Sequence, residues 1–399
     1  MLTTSFNPVV KYIKKPVICH LSPFGSEYGG SFVDSLLCIA RYCRQKMQME
    51  TICVFPERAK TRNWLKTFKA DGIRCEFIPT RRNVASDLRS LLRDCDPVIF
   101  HCHFSTYDLS PIFLKLTSGR RAEIIWHYHN AGGPTLLQRI KDRIKIQLLA
   151  RYFGVSCIAV GDAVFDSLID AGLPPENLFL VYNGINMRRF YPSVHVRERA
   201  RESLGVSERQ LVFLLLGWEP FRKGVDIFVK AAFHVAPKNS PKNLFLVVGR
   251  KETRDFVAKS PEYERLGSCV RVIEPTDDFS SLVNGIDVLV SASRSEAFSY
   301  AISEAMATGK LVLCSDVAGM REIYGKSNGV WFFPNEDWKT LSQLMQRVEA
   351  VPSVERAQLS KSNREYIMSH YSLELWAEKM GGVYRRLVPL VPSDSVAST

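Results

Sequence analysis

No apolar run in this chain approaches the ~20 residues that a membrane-crossing helix needs. The opening stretch, MLTTSFNPVVKYIKKP, also lacks the apolar core of a secretory signal, so a cytoplasmic protein is the expectation. Ten cysteines are present, yet no two stand in C-x-x-C spacing; neither a redox pair nor a zinc knuckle is indicated, and dispersed, reduced thiols are expected. The G-x-G-x-x-G spacing of a dinucleotide site is missing too, which argues against NAD. Acidic residues are scarce in the first half: 1–190 hold 26 Lys/Arg against 16 Asp/Glu, whereas 191–399 hold 27 against 25. Of the net charge of +12, +10 therefore belongs to the N-terminal half. A positive field favours nucleic acid, an anionic membrane surface or an anionic substrate. No recognition motif for nucleic acid accompanies it, so nucleic acid is not an expected partner.

What is present is repeated alternation of short β-rich apolar runs with helical periodicity, the pattern of parallel βαβ construction. Candidate strands in the first half are 16–21, 50–55, 74–78, 97–101, 123–128, 156–160 and 178–182. Around 183–205 the sequence turns polar, and the alternation restarts at 211–216, followed by 244–248, 269–273, 287–291, 311–314 and 330–333. A chain of 399 residues exceeds one ordinary core. The reading is α/β, with two doubly wound parallel-sheet domains: 1–190, then 191–372, then a last helix and tail over 373–399. Ligands of such sheets bind beyond the carboxyl ends of the strands, so two facing domains would set two ligand edges across a cleft.

The basic half is densest at 136–153, LLQRIKDRIKIQLLARYF. Leu136, Ile140, Ile144 and Leu148 recur every four residues between Arg139, Lys141, Arg143, Lys145 and Arg151, so a helix here carries an apolar stripe with cationic flanks. It reads either as a core-packed surface helix or as a dock for anionic lipid.

The strongest chemical signal is Glu296-Ala-Phe-Ser-Tyr-Ala-Ile-Ser-Glu304, soon after the strand DVLVS. The segment should pass from loop into helix near Ser299, where backbone N–H groups make an anion site between two carboxylates suited to sugar or ribose diols. Two unrelated surface glutamates are the bland alternative. Gly217-Trp-Glu-Pro-Phe-Arg-Lys-Gly224 follows the strand LVFLLL; Arg222 and Lys223 can neutralise a diphosphate around which Gly224 lets the chain turn, although a Lys-Gly pair opening a helix is common. Gly25-Ser-Glu-Tyr-Gly29-Gly30 opens a helix after the first strand. His101-Cys-His103 and His127-Tyr-His129-Asn130 each end an apolar strand, as proton carriers, sugar ligands or a zinc site. No acidic or cysteine partner stands at ligand spacing, so no metal is expected, and His101 and His127 are read as satisfied strand-end positions.

Together these residues resemble the retaining glycosyltransferases of the GT-B fold, group 1 or family 4, over nearly the whole chain. The pieces occur in the family's order: Gly29-Gly30, His129, Asn183-Gly184-Ile185-Asn186 with Phe190, Lys223-Gly224, and Glu296 with Glu304. The resemblance implies a nucleotide-diphosphate-sugar donor and no separate cofactor. Glu304 would hold the ribose hydroxyls, Lys223 and Arg222 the diphosphate, Glu296 the sugar hydroxyls, and backbone N–H groups of Phe298, Ser299 and Tyr300 further phosphate oxygens. His129 and Gly29-Gly30 would approach from the N-terminal domain, with His129 and Glu296 the catalytic pair. Base contacts are expected from the backbone of 272–275. The acceptor implied is a glycan, glycolipid or lipid-linked molecule, as in cell-surface polysaccharide or lipopolysaccharide assembly. Two positions depart from the family pattern: Trp218 stands where an arginine is common, and Ser299 where a glycine is frequent. Trp218 motivates one alternative, a catalytically weak sugar-nucleotide-binding partner of another transferase; a GT-B epimerase or hydrolase is the other.

Overall fold

The structure is a computed structural model that describes residues 16–81, 83–95, 97–119, 122–129, 136–236 and 243–388, with no side chains described for 136–139. Asn130, the opening stretch before residue 16 and the tail 389–399 lie outside the described residues, as do the side chains of Leu136 and Arg139.

Thirteen strands among the described residues form two all-parallel sheets. The first holds β1 (Val17–Leu21), β2 (Glu50–Pro56), β3 (Arg74–Ile78), β4 (Pro97–His103), β5 (Glu123–Tyr128), β6 (Ser156–Ala159) and β7 (Leu178–Leu180), in the order β3-β2-β1-β4-β5-β6-β7. The second holds β8 (Leu211–Leu216), β9 (Asn243–Val248), β10 (Val270–Ile273), β11 (Val288–Ser291), β12 (Leu311–Asp316) and β13 (Val330–Pro334), in the order β10-β9-β8-β11-β12-β13. Both orders reverse beside the first strand of the domain, at β1/β4 and at β8/β11, which is where each sheet opens a crevice. Central strands are buried on both faces and so read as continuous apolar runs: β8 is LVFLLL and β9 NLFLVV.

Five helices carry or brace the residues singled out above: α1 (Gly30–Tyr42), α2 (Leu136–Ile144), α3 (Val225–Val235), α4 (Tyr300–Ala307) and α5 (Leu373–Leu387). α5 packs Leu373, Trp376, Met380 and Tyr384 against Ile18, Ile99, Ile125 and Ile158 of the first sheet, so the end of the chain returns to the domain where it began. The two crossings between domains are tied together. Ile185 N–H donates to Tyr371 O at 2.8 Å, and Leu373 N–H donates to Ile185 O at 2.9 Å.

The segment after α2 departs from the simple amphipathic expectation. Residues Lys145–Ala150 form a π-helical stretch, followed by one α-turn at Arg151–Phe153. Ile146 and Ala150 face the core, while Ile140, Ile144, Leu148 and Tyr152 are 46%, 51%, 63% and 82% exposed. The apolar stripe therefore points to solvent. Lys145, expected among the cationic flanks, instead turns inward: its amine pairs with buried Asp108 and sits 4.3 Å from the centre of the Trp126 ring.

Candidate functional site

Two loops at the carboxyl edge of the second sheet build one wall. The first leaves β8 at Gly217 and re-enters helix at α3 through Gly224, which has φ +68° and whose added Cβ would stand 2.0 Å from Ala292 O. Only glycine meets both conditions. The second loop leaves β11 and carries Arg294 and Glu296. Arg294 braces the two: its N–H donates to Arg222 O at 2.8 Å, its guanidinium pairs with Asp226 at 2.8 Å, and it lies 3.9 Å from the Phe221 ring centre.

That brace brings Lys223 to Glu296, Nζ to Oε1 at 2.5 Å, both side chains largely buried. Ser293 Oγ donates to the same oxygen at 2.9 Å. Immediately beyond, Ser299 caps α4, its Oγ accepting from Ile302 N–H at 3.4 Å, and the Tyr324 hydroxyl holds Ser299 O at 2.9 Å. The serine therefore supplies a cap, Phe298 packs into the core, and the N–H groups at the start of α4 stand beside the Lys223–Glu296 pair. Arg222 is placed differently from Lys223. Its guanidinium forks onto Glu219 at 2.7 and 2.9 Å and reaches Ser295 O at 3.2 Å, so it must exchange partners to meet a phosphate.

About one turn into α4, Glu304 is buried and faces the other domain, where Ser31 Oγ donates to its Oε1 at 2.5 Å. Burial pushes its carboxyl up to about 7 from 4.5, against the opposing pull of the Ser31 bond. Ser31 follows Gly29-Gly30 at the start of α1. Gly30 has φ +57° and open space beside its Cα, so backbone is what the turn presents. Neighbouring residues close the rim: Tyr28 OH donates to Pro275 O at 3.0 Å, Glu27 pairs with Arg250 at 2.7 Å, and Asp34 pairs with Arg189 at 3.2 Å. Ser31, Tyr28 and Arg294 carried no signal in the sequence; each acts through partners tens to hundreds of residues away.

His129 directly follows β5 on the opposite wall, half-buried, with Phe104 stacked at 4.3 Å and Phe32 edge-on at 5.7 Å. Its described contacts are all within the first domain. His20, His101, His103 and His127 lie behind it, buried.

Open space and chemistry do not coincide. A cavity of about 840 Å³ sits at the amino ends of the second sheet's strands, lined by Arg197, Asp287, Lys310 and Arg356 among others. Beside Trp218, Lys223, Glu296 and Ser299 the free volume is only about 20 Å³. The smaller space is the better candidate, because it lies outside the strands' carboxyl ends, beside a helix start and paired charges.

Residues 196–366 match the family described as Glycosyl transferases group 1, and residues 39–189 match Glycosyltransferase Family 4. The chain is a group 1/family 4 glycosyltransferase. Its two-sheet architecture is the GT-B fold of that family. A crystal structure of Anabaena Alr3699/HepE in complex with UDP superposes with a TM-score of 0.76 at 16% identity, covering 92% of this chain and 99% of that one. The same protein in complex with UDP-glucose gives 0.77 at 17%, covering 93% and 99%. Among curated relatives, an uncharacterized glycosyltransferase of Methanocaldococcus jannaschii is 26% identical over 47% of this chain and 50% of its own length. The lipopolysaccharide glucosyltransferase WaaG of Escherichia coli K12 is 30% identical over 39% of this chain and 41% of its own. The chain thus spans about half the length of the curated relatives it matches. No helix of the glycosyltransferase, among the described residues, is long and apolar enough to cross a membrane.

Proposed function

We propose that the cleft takes a nucleotide-diphosphate-sugar and transfers its sugar, with retention and without a metal ion, to a glycan, glycolipid or lipid-linked acceptor. The observation that carries this is the Lys223–Glu296 pair beside the Ser299-capped helix, with buried Glu304 behind it. Charge and dipole there suit a diphosphate, and the two carboxylates suit diols on either side of it. In this reading Glu304 holds the ribose, Lys223 and a re-partnered Arg222 the diphosphate with N–H groups of Phe298, Ser299 and Tyr300, and Glu296 the transferred sugar. Gly29, Gly30 and His129 come from the acceptor-side domain, 1–190; the donor domain is 191–372, and 373–399 crosses back. Stabilising the leaving diphosphate is the main catalytic term, and that group takes the proton from the acceptor's hydroxyl. UDP and UDP-glucose in the Anabaena structures make uridine donors the first to try, and lipopolysaccharide-related relatives support a cell-surface acceptor.

The test is thermal stabilisation by a panel of nucleotide sugars, with Glu304→Ala as control. A ligand at ~100 times its Kd adds about 2.7 kcal/mol, a shift of several degrees. One donor should stabilise the wild type and leave Glu304→Ala unmoved. Trp218 favours a second reading, a weak sugar-nucleotide-binding partner of another transferase: its ring centre lies 5.5 Å from Lys223 Nζ, where a second cation is common in the family. Donor binding without turnover on any acceptor would select it.

The solvent-facing stripe Ile140, Ile144, Leu148 and Tyr152, flanked by Lys141, Arg143 and Arg151, supports peripheral docking on an anionic membrane at the cytoplasmic face. Lys141→Glu with Arg143→Glu should abolish flotation with anionic liposomes while leaving the melting midpoint in place; unchanged flotation rules the surface out.

A further inference from the structure

Behind His129 the histidines form two hydrogen-bonded files. In one, His129 Nε2 faces His103 Nδ1 at 3.2 Å and His103 Nε2 faces His20 Nδ1 at 3.0 Å. In the other, His127 Nδ1 faces His101 Nε2 at 3.1 Å and His101 Nδ1 meets the Tyr384 hydroxyl of α5 at 2.7 Å. Strand register imposes the arrangement. His20 lies beside His101 across β1 and β4, His103 lies beside His127 across β4 and β5, and the two-residue period puts both members of each His-x-His pair on one face. The files then stack, His101 on His103 at 4.3 Å and 19°, His127 on His129 at 4.2 Å and 24°.

Ligand atoms of His20, His101 and His103, and of His103, His127 and His129, lie within 4.8 Å of one another, which raises a metal site. The ring geometry speaks against it. Within each triad one close pair of nitrogens faces as a hydrogen bond, at 3.0 or 3.2 Å, and the stacked pairs His101–His103 and His127–His129 keep their in-plane lone pairs in separate, near-parallel planes that do not meet at one point. Neither triad includes a carboxylate to offset a buried divalent charge.

A neutral imidazole has one N–H and one lone pair, so a hydrogen-bonded file can run in only two senses. Burial favours the neutral form throughout, since it lowers all five imidazoles below their ordinary value. If His20 Nδ1–H donates to His103, then His103 donates from Nδ1 to His129 Nε2, and His129 carries its proton on Nδ1. In the other sense every proton shifts across its ring and His129 Nδ1 is a bare lone pair. The inner end decides between them. His20 Nε2 is buried and without a hydrogen-bond partner among the described residues. It is an unmatched lone pair in the first sense and an unmatched N–H in the second, and orphaned buried N–H groups are the rarer, costlier kind.

We infer that the His20–His103 file fixes the tautomer of His129, so that its second nitrogen, Nδ1, is a hydrogen-bond donor and not a base. The occupant this suits is an oxygen lone pair, on a hydroxyl of the donor sugar or on its phosphate; that step rests on the donor-cleft reading. His103 and His20 are positioning residues, acting through His129.

The experiment is selective ¹⁵N-histidine labelling of the full chain with long-range ¹H–¹⁵N correlation, His129 being assigned by loss of its signals in His129→Gln. The wild type should show a protonated Nδ1 and a bare Nε2 at His129. In His103→Leu the proton should move toward Nε2 and kcat should fall ~10-fold, with the donor KM nearly unchanged. His103→Asn, whose amide N–H takes the place of Nδ1–H, should restore both. A bare Nδ1 in the wild type overturns the inference, as does a stoichiometrically bound divalent ion that His103→Leu loses. An unchanged kcat in a folded His103→Leu whose tautomer has moved overturns the positioning role. If the wild-type tautomer is as stated but His129→Ala leaves nucleotide-sugar binding and turnover intact, the donor-cleft reading fails and the tautomer assignment stands.

Discussion

Glu304 is a carboxyl held between two demands. To hold a ribose diol, as proposed, it must be ionised, yet burial raises its pKa from 4.5 to about 7 despite the opposing Ser31 hydrogen bond. The unfolded chain releases this proton near 4.5 and the folded chain near 7, so between those values the folded state binds more protons. Stability from this group is therefore fully present below ~4.5, falls as pH rises, and levels off above ~7, a span of about 3 kcal/mol. Glu304→Gln should flatten that slope, and urea melts of both proteins across the window check it. Donor affinity should run the opposite way in the wild type, improving as pH rises through ~7. A slope that is identical in Glu304→Gln would assign the effect elsewhere.

At the scale of elements, position Gly224 links a strand, a loop and a helix. An alanine there faces both a positive φ and the carbonyl of Ala292, so Gly224→Ala should cost at least ~2 kcal/mol. Because the same turn sets Lys223 on Glu296, the thermal response to a donor should be lost with it, which a melt with and without nucleotide sugar reads directly. This element was legible in the sequence, since a Lys-Gly pair after the apolar run LVFLLL has a physical signature. The strands were legible for the same reason: doubly buried parallel strands are short apolar runs between turn residues. The helix after Leu136 was legible only in part. Its four-residue period was plain, but the π-helical stretch Lys145–Ala150 shifts the phase, so Ile146 and Ala150 pack inward and Lys145 meets Asp108. Asp108 lies 37 residues earlier, and no local pattern announces such a partner. The histidine files show the same limit: two His-x-His pairs were visible, but the register that adds His20 was not.

For the molecule as a whole, several of the polar contacts that close the cleft come from one short segment. Glu27 and Tyr28, just before α1, and Ser31 at its start reach across to Arg250, Pro275 and Glu304, while Asp34 holds Arg189 of its own domain, whose guanidinium faces Asp277 O at 3.5 Å. The ion pair Glu27–Arg250 is exposed and pairs of that kind contribute at most ~1 kcal/mol, so it guides closure more than it holds it. Ser31 is different, because its bond to Glu304 is buried and occupies an oxygen that the donor's ribose would claim. Under the proposed function, donor and closed cleft compete for one acceptor, and the domains part before the nucleoside seats. Ser31→Ala removes the competitor while leaving the turn at Gly30 intact. A hydrogen bond of this kind is worth roughly 0.5–1.5 kcal/mol net, so donor affinity should rise ~2- to 10-fold by calorimetry, and the radius of gyration of the free protein in solution scattering should grow. A weaker donor affinity in Ser31→Ala would mean that Ser31 helps to seat the nucleotide, and the latch would have to be sought in Tyr28 and Arg189 instead.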